Sequence, residues 1–218
     1  MNLAATSPQS PEPRWRRLPE ERPRQIIEAA LEVFGERGLA GARLEEVAKR
    51  AGVSKGTIYL YFPNKEALFC EMIREMVGRT IERTEARIVS SHGTASEQLG
   101  EYMRSLWEYT RSRIFEILYR LTMGELHHFP ALLQFFMEEV AMRSMRVTAD
   151  IVRRGVASGQ FRPIEPMVAA RLLHSLVVKH GVWCAQRDRI PFMVDLRDDE
   201  VFEQLKDFYF HAIRANPS

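Results

Sequence analysis

Apolar residues recur at intervals of three and four positions along most of the chain, which is the spacing of amphipathic helices. The first such stretch begins near Arg24 and ends at Gly38, a residue that commonly stops a helix. Two short helices are predicted next, over 44–51 and 55–61, and Ser54 is a favourable N-cap for the second. The chain therefore opens with three predicted helices.

Longer amphipathic segments occupy the rest of the chain. Pro63 ends the third helix because its ring removes a backbone donor, and Asn64 caps a long helix that runs to about Val89. The remaining predicted helices are Ala95–Arg111, Ser112–His127, 130–159, Glu165–Ala185 and Asp198–Ile213. No segment alternates between apolar and polar residues at every second position, so strands are not expected. The expected fold is all-α, with about nine helices.

The composition is that of a globular protein, because 45% of the 218 residues are hydrophobic. Lys and Arg number 31 against 29 Asp and Glu, and this net charge of +2 excludes a uniformly basic protein but not a local basic patch. Only Cys70 and Cys184 are present, so disulfides do not hold the fold and a reducing compartment is favoured. No apolar run approaches the roughly 20 residues that span a bilayer. With no signal-peptide pattern either, we expect a cytoplasmic protein with no membrane partner.

The N-terminal stretch 1–23 has a different composition, with five of the eleven prolines and little apolar patterning. We interpret it as a flexible arm. The basic residues of its second half are Arg14, Arg16, Arg17 and Arg22. Two interpretations stay open: a solvated tail, or an arm that touches the DNA backbone or a minor groove.

The segment 44–65, LEEVAKRAGVSKGTIYLYFPNK, contains the residues that are most informative about function. Two short helices joined by a glycine-containing turn form a helix-turn-helix. The segment contains no acidic residue from Val47 to Lys65. Small residues open the second helix, and its N-terminus offers free N–H donors and a partial positive charge. These features favour contact with DNA, and they place Ile58 and Phe62 on the opposite, inward face.

The segment from Arg24 to Glu71 resembles the N-terminal domain of the TetR family of transcriptional regulators. The matching stretches are IIEAALEVFGERG and LEEVAKRAGVSKGTIYLYFPNKEALF. GELHHFPAL and SGQFRPIEPMVAARLL more loosely resemble ligand-domain segments of the AcrR-like branch. The resemblance implies a DNA-binding domain over 24–70 and a larger helical domain for ligand binding and dimerisation over 71–218.

The resemblance also implies roles for individual residues of the motif. Bases or phosphates of double-stranded DNA are expected at Lys55, Gly56, Thr57, Tyr59 and Tyr61. A phosphate is expected at Lys65, and Ser54 belongs to the same surface as the cap of the second helix. The family often has Ser or Thr before the first motif helix, whereas this chain has Ala42 and Arg43. We expect Arg43 to replace that phosphate contact by its charge, without the hydroxyl cap.

The resemblance further implies a small-molecule pocket in the larger domain and a dimer interface on the last two helices, 165–186 and 198–213. Aromatic and Met stripes usually form core, but together they suggest a pocket for an apolar or aromatic effector. The candidates are Met103, Trp107, Phe115, Tyr119, Met123, Phe136 and Met137. Candidates for the homodimer interface are Leu172, Leu176, Trp183, Leu205 and Phe208, unless some of them face their own core.

No motif for catalysis or for a cofactor is apparent. Glu125, His127 and His128 do not form a metal set, because adjacent histidines on a helix point in different directions. We therefore expect a regulator rather than an enzyme: a repressor that binds a palindromic operator as a dimer and is released by a small apolar molecule. The alternative is a helical small-molecule carrier or enzyme that does not bind DNA.

Overall fold

A computed structural model describes residues 22–90, 92–186 and 197–215, and these ranges are almost entirely helical. The α-helices are α1 (Arg22–Gly41), α2 (Leu44–Ala51), α3 (Lys55–Tyr61), α4 (Lys65–Ile73), α5 (Arg79–Ser90), α6 (Ala95–Thr110), α7 (Arg113–Gly124), α8 (Pro130–Phe136), α9 (Arg143–Ala157), α10 (Pro166–Ala185) and α11 (Asp198–Ile213). A π-helical turn at Arg74–Gly78 joins α4 to α5, and another at Met137–Met142 joins α8 to α9. The described ranges thus contain nine continuous helical rods, which confirms the all-α prediction.

The helix ends follow from local chemistry. The Ser54 hydroxyl accepts a hydrogen bond from the backbone N–H of Thr57 at 3.1 Å, and Asn64 caps α4 through the N–H of Ala67 at 2.7 Å. Gly52 ends α2 in the left-handed region, at φ 67°. Gly38 differs from the prediction: with φ 71° it kinks α1, which continues to Gly41. The predicted arm 1–23 lies outside the described residues, apart from its last two, which already belong to α1.

The buried apolar residues form two cores. The first joins α1–α4 to one face of α7, with the rings of Phe34 and Phe69 at its centre, 6.0 Å apart. The second lies between α6, α9, α10 and α11 and contains Phe161 and Phe202. Because the first core also includes Ile117 of α7, packing is continuous across the predicted domain boundary after residue 70.

Two helical glycines give a matched test of this packing. A β-carbon at Gly155 of α9 would overlap the ring of Phe161, whereas at Gly100 of α6 the nearest atom is 3.9 Å away, near the end of Lys206. We expect Gly155→Ala to lower the free energy of unfolding by about 1–3 kcal/mol. Gly100→Ala should raise it by about 0.5–1 kcal/mol, because alanine restricts the unfolded chain. Urea denaturation of both variants measures this difference, and effects of the same sign would contradict it.

Candidate nucleic-acid interface and internal cavity

The recognition helix α3 has one buried face and one exposed face. Ile58 and Phe62 are buried in the first core, as the sequence predicts. Gly56 and Leu60, four residues apart, lie on the exposed face, and Leu60 is 81% exposed. The sequence analysis missed Leu60 because it assigned apolar residues to packing. The period of the helix was the signal, since a residue two positions from both Ile58 and Phe62 must face outward.

A single carboxylate binds two of the predicted DNA-binding side chains. The Lys55 ammonium lies 2.8 Å from Oε1 of Glu45, and the Tyr59 hydroxyl donates to the same oxygen at 3.2 Å. The hydrogen bond from Lys55 lowers the pKa of Glu45 to about 2, so this carboxylate is ionised at neutral pH. All three side chains are accessible to water, so the cluster contributes little to stability.

Four other predicted residues lie at the starts of α2 and α3 or on the side of α3 that packs inward. The Thr57 and Ser54 hydroxyls are 2.8 Å apart within the cap of α3, and the half-buried Tyr61 packs against the first core. Arg43 is exposed at the N-cap of α2, and its side chain makes no capping hydrogen bond. Among the described residues, the α2 start therefore lacks the hydroxyl cap, as the sequence indicates.

Lys65 is tied to the end of α1. Its Nζ donates to the backbone oxygen of Ala40 at 2.8 Å and lies 3.5 Å from that of Ala42. The same peptide segment is bound from the other side, because the N–H of Ala40 donates to Glu125 at 3.0 Å. An ammonium has three donors, so these carbonyls leave Lys65 with capacity for a phosphate.

A cavity of about 530 Å³ lies between α5, α6, α7, α9, α10 and the two π-helical turns. Five of the seven predicted pocket residues line it: Phe115, Tyr119, Met123, Phe136 and Met137. The other two, Met103 and Trp107, do not. Both are buried in the second core, where the Trp107 ring lies 5.9 Å from that of Phe202. They lie on the side of α6 that faces the second core, whereas Tyr109 lies on the side that lines the cavity.

Aromatic rings form one wall of the cavity. The Phe115 ring lies edge-on to Tyr109, with centroids 5.4 Å apart, and stacks on Tyr119 at 5.5 Å. Burial raises the pKa of the Tyr109 hydroxyl far above its ordinary value, so this group stays neutral.

A buried polar cluster forms part of the opposite wall. Nε2 of His174 lies 3.2 Å from the Tyr102 hydroxyl and 3.1 Å from the Thr148 hydroxyl, and Tyr102 also donates to the backbone oxygen of Ser144 at 3.0 Å. Burial lowers the pKa of His174 to about 4 and raises that of Tyr102 to about 12. Both side chains are therefore neutral near pH 7. Tyr102, Thr148 and His174 are far apart in the sequence, so no periodic pattern indicated this cluster.

The predicted dimer surface is only partly exposed in the protomer. Leu172 is 53% exposed and Phe208 is 65% exposed, whereas Leu176 and Trp183 are half-buried. Leu205 is wrong as an interface residue, because it is buried in the protomer's own second core. It faces inward because α11 turns Leu205 and Tyr209 toward α6 and α10, leaving Phe208 outside.

The described residues contain no group of three His, Cys, Asp or Glu side chains arranged to hold a metal ion. None of the described helices is long and apolar enough to cross a membrane.

Together, the helix-turn-helix and the hollow helical domain define a DNA-binding transcriptional regulator. Residues 26–72 match the family model of bacterial regulatory proteins of the tetR family. Residues 97–187 match the C-terminal domain model of AefR-like transcriptional repressors. The chain belongs to the TetR family of transcriptional regulators.

Individual relatives support the same family. The fatty acid metabolism regulator protein of Bacillus subtilis is 44% identical over 84 residues, 38% of this chain and 43% of that protein. The HTH-type transcriptional regulator RutR of Escherichia coli K12 is 28% identical over 184 residues, 82% of each chain.

Solved structures show the same fold. FadR of Bacillus subtilis in complex with stearoyl-CoA has a TM-score of 0.71 and 23% identity, covering 88% of this chain and 99% of that one. A regulator from Saccharomonospora viridis in complex with choline has a TM-score of 0.74 and 22% identity, covering 90% and 100%.

The buried imidazole of His174 makes the free energy of unfolding depend on pH. Its pKa rises from about 4 in the folded protein to an ordinary value of 6.5 on unfolding, so the unfolded chain binds the proton more tightly. His174 therefore destabilises the fold as pH falls from about 7 to 4, by up to about 3 kcal/mol. Urea denaturation at both pH values should show a smaller loss for His174→Asn than for the wild type. His211→Asn, at an exposed histidine, should behave like the wild type, and a His174→Asn loss as large as the wild type's would contradict the assignment.

Proposed function

We propose that the protein is a homodimeric repressor that occupies a palindromic operator and leaves it when an apolar effector enters the cavity. The observation that carries this proposal is the double contact of Ala40. Its N–H binds Glu125, at the end of cavity helix α7, and its carbonyl binds Lys65, next to the recognition helix.

The reading surface is the exposed face of α3. The N-terminus of α3 lies in the major groove. Gly56 allows close approach of the backbone to the bases, and Leu60 presents a methyl-rich side chain suited to the methyl group of thymine. Lys65 and Arg43 contact phosphates on either side of α3. Lys55 and Tyr59 exchange Glu45 for DNA, which adds to the salt dependence of binding.

Helix α7 connects the cavity to this surface because it uses both faces. Phe115 and Tyr119 line the cavity. On the opposite face Ile117 packs in the first core, and Arg120 donates to the backbone oxygen of Gly35 in α1. A ligand that displaces α7 therefore displaces the end of α1 and, with it, Lys65. The coupling required is modest, since about 1–3 kcal/mol changes affinity 5- to 150-fold.

A second copy of the chain is the partner proposed for α10 and α11. Val168 and Leu172 are exposed one turn apart on α10, and Phe208 is exposed on α11. Such an exposed apolar surface is typical of an interface. A two-fold dimer presents two recognition helices, which suits a palindromic site.

Fluorescence anisotropy with genomic DNA fragments at two salt concentrations tests the proposal. We expect sequence-selective binding that weakens steeply with salt. Binding to no fragment, or equal binding to all, would favour the carrier or enzyme alternative.

Lys65 should contribute to affinity without contributing to sequence preference. We expect Lys65→Ala to weaken binding to every fragment and to lower the salt slope by about one, because one phosphate contact is lost. Lys206→Ala, which removes the same charge from α11, is the control and should leave the slope unchanged. Thermal unfolding checks that the loss of the Ala40 contact has not unfolded the domain. An unchanged slope in folded Lys65→Ala would remove Lys65 from the interface.

Substitutions of two exposed leucines distinguish dimerisation from DNA recognition. Leu172→Asp should give monomers, because a charge would be buried without a partner, and DNA binding should be lost with the dimer. Leu60→Asp should leave the dimer intact but abolish operator binding, because it places a carboxylate against DNA. Neither change disturbs the protomer core. Sedimentation and anisotropy measure the two properties, and a fully dimeric Leu172→Asp would place the interface elsewhere.

A further inference from the structure

The described lining of the cavity carries very little charge. None of the described residues that line the cavity is Asp, Glu or Arg. His174 is neutral near pH 7 because burial lowers its pKa to about 4. Lys179 is then the one charged residue on this described lining.

Lys179 lies on the solvent-exposed edge of the cavity, on α10. Its ammonium is 5.3 Å from the centre of the Trp183 ring, which supports the end of the side chain. Among the described ion pairs none involves Lys179, whereas Lys206 on α11 is paired with Glu203 at 3.2 Å. Within the described protomer, the positive charge of Lys179 therefore has no acidic partner.

The interior is apolar but contains hydroxyl groups. Oγ1 of Thr122, on α7, is buried and has no hydrogen-bond partner among the described residues. A volume of about 530 Å³ accommodates a molecule of the size that typical small-molecule sites bind. This interior suits an uncharged, largely hydrocarbon body.

A cationic ligand does not suit this cavity. It would lose water without finding a carboxylate, and it would be repelled by Lys179. An anion placed at the mouth keeps part of its hydration and gains a charge-assisted hydrogen bond. One lysine balances one negative charge, which favours a carboxylate over a doubly charged phosphate.

We infer that the effector is an apolar molecule with one carboxylate group, which Lys179 binds at the cavity mouth while the hydrocarbon body fills the interior. This inference rests on the proposed function, whose effector it specifies. It differs from the thioester bound by the Bacillus subtilis relative, because the head group is a free acid.

Three ligands with the same twelve-carbon chain test it: dodecanoate, dodecanol and dodecyltrimethylammonium. Each competes with the neutral fluorescent probe N-phenyl-1-naphthylamine on the full-length protein at pH 7.5, without DNA, and calorimetry provides a direct measurement. We expect dodecanoate to bind about tenfold or more tightly than dodecanol, and the ammonium compound to bind most weakly. Equal affinities, a preference for the cation, or binding of none would overturn the inference.

Variants then locate the head group. Lys179→Gln should remove the advantage of dodecanoate and leave dodecanol unchanged, while Lys179→Arg should keep most of it. Lys206→Gln makes the same change in net charge away from the cavity and should match the wild type. Retention of the full advantage by Lys179→Gln would overturn the assignment of Lys179.

The two proposals fail in distinguishable ways, because DNA binding is measured without these ligands and ligand binding without DNA. Operator binding with the wrong ligand order would overturn only the effector class. The expected ligand order without operator binding would overturn the regulator.

Discussion

The proposed coupling between the cavity and the DNA-binding helices depends on two backbone hydrogen bonds of Ala40. Glu125 accepts from the N–H of Ala40 and Lys65 donates to its carbonyl, so the end of α1 is held between the cavity helix and the start of α4. Gly38 makes this possible. Its φ of 71° bends the last turn of α1, and any β-carbon there would overlap the Glu125 carboxylate. A glycine that sequence patterning marks as a helix stop thus serves a tertiary contact.

Weak interactions order the side chains on the exposed face of α3. Glu45 binds both Lys55 and Tyr59, and the low pKa of this carboxylate keeps the cluster charged at neutral pH. Exposed ion pairs of this kind are easily exchanged. In the proposed complex with DNA, the phosphates that attract Lys55 would repel Glu45. The cluster would then order the side chains of α3 without opposing binding strongly.

The helix-turn-helix was predicted correctly because its signals come from residues that are close together in the sequence. The caps at Ser54 and Asn64 and the inward face of α3 depend on residues within one or two turns. The residues that line the cavity were harder to predict because α6 is apolar on two faces. Trp107 faces the second core and Tyr109 faces the cavity, and only the packing of α11 and α7 decides between them. His174 and Tyr102 are distant in sequence, so no periodic pattern relates them.

The π-helical turn between α4 and α5 explains how one rod serves two partners. The buried residues Met72 and Val77 are five positions apart, which is the hydrogen-bond spacing of a π-helix. At about 100° per residue, a regular α-helix would point these two residues about 140° apart. The extra residue of the π-turn returns Val77 to the side of Met72, and both belong to the first core. Ile81, one turn further on, packs against the same core and lines the cavity. The π-turn therefore keeps one apolar side along the whole rod, from the first core, beside Lys65, to the wall that an effector would contact.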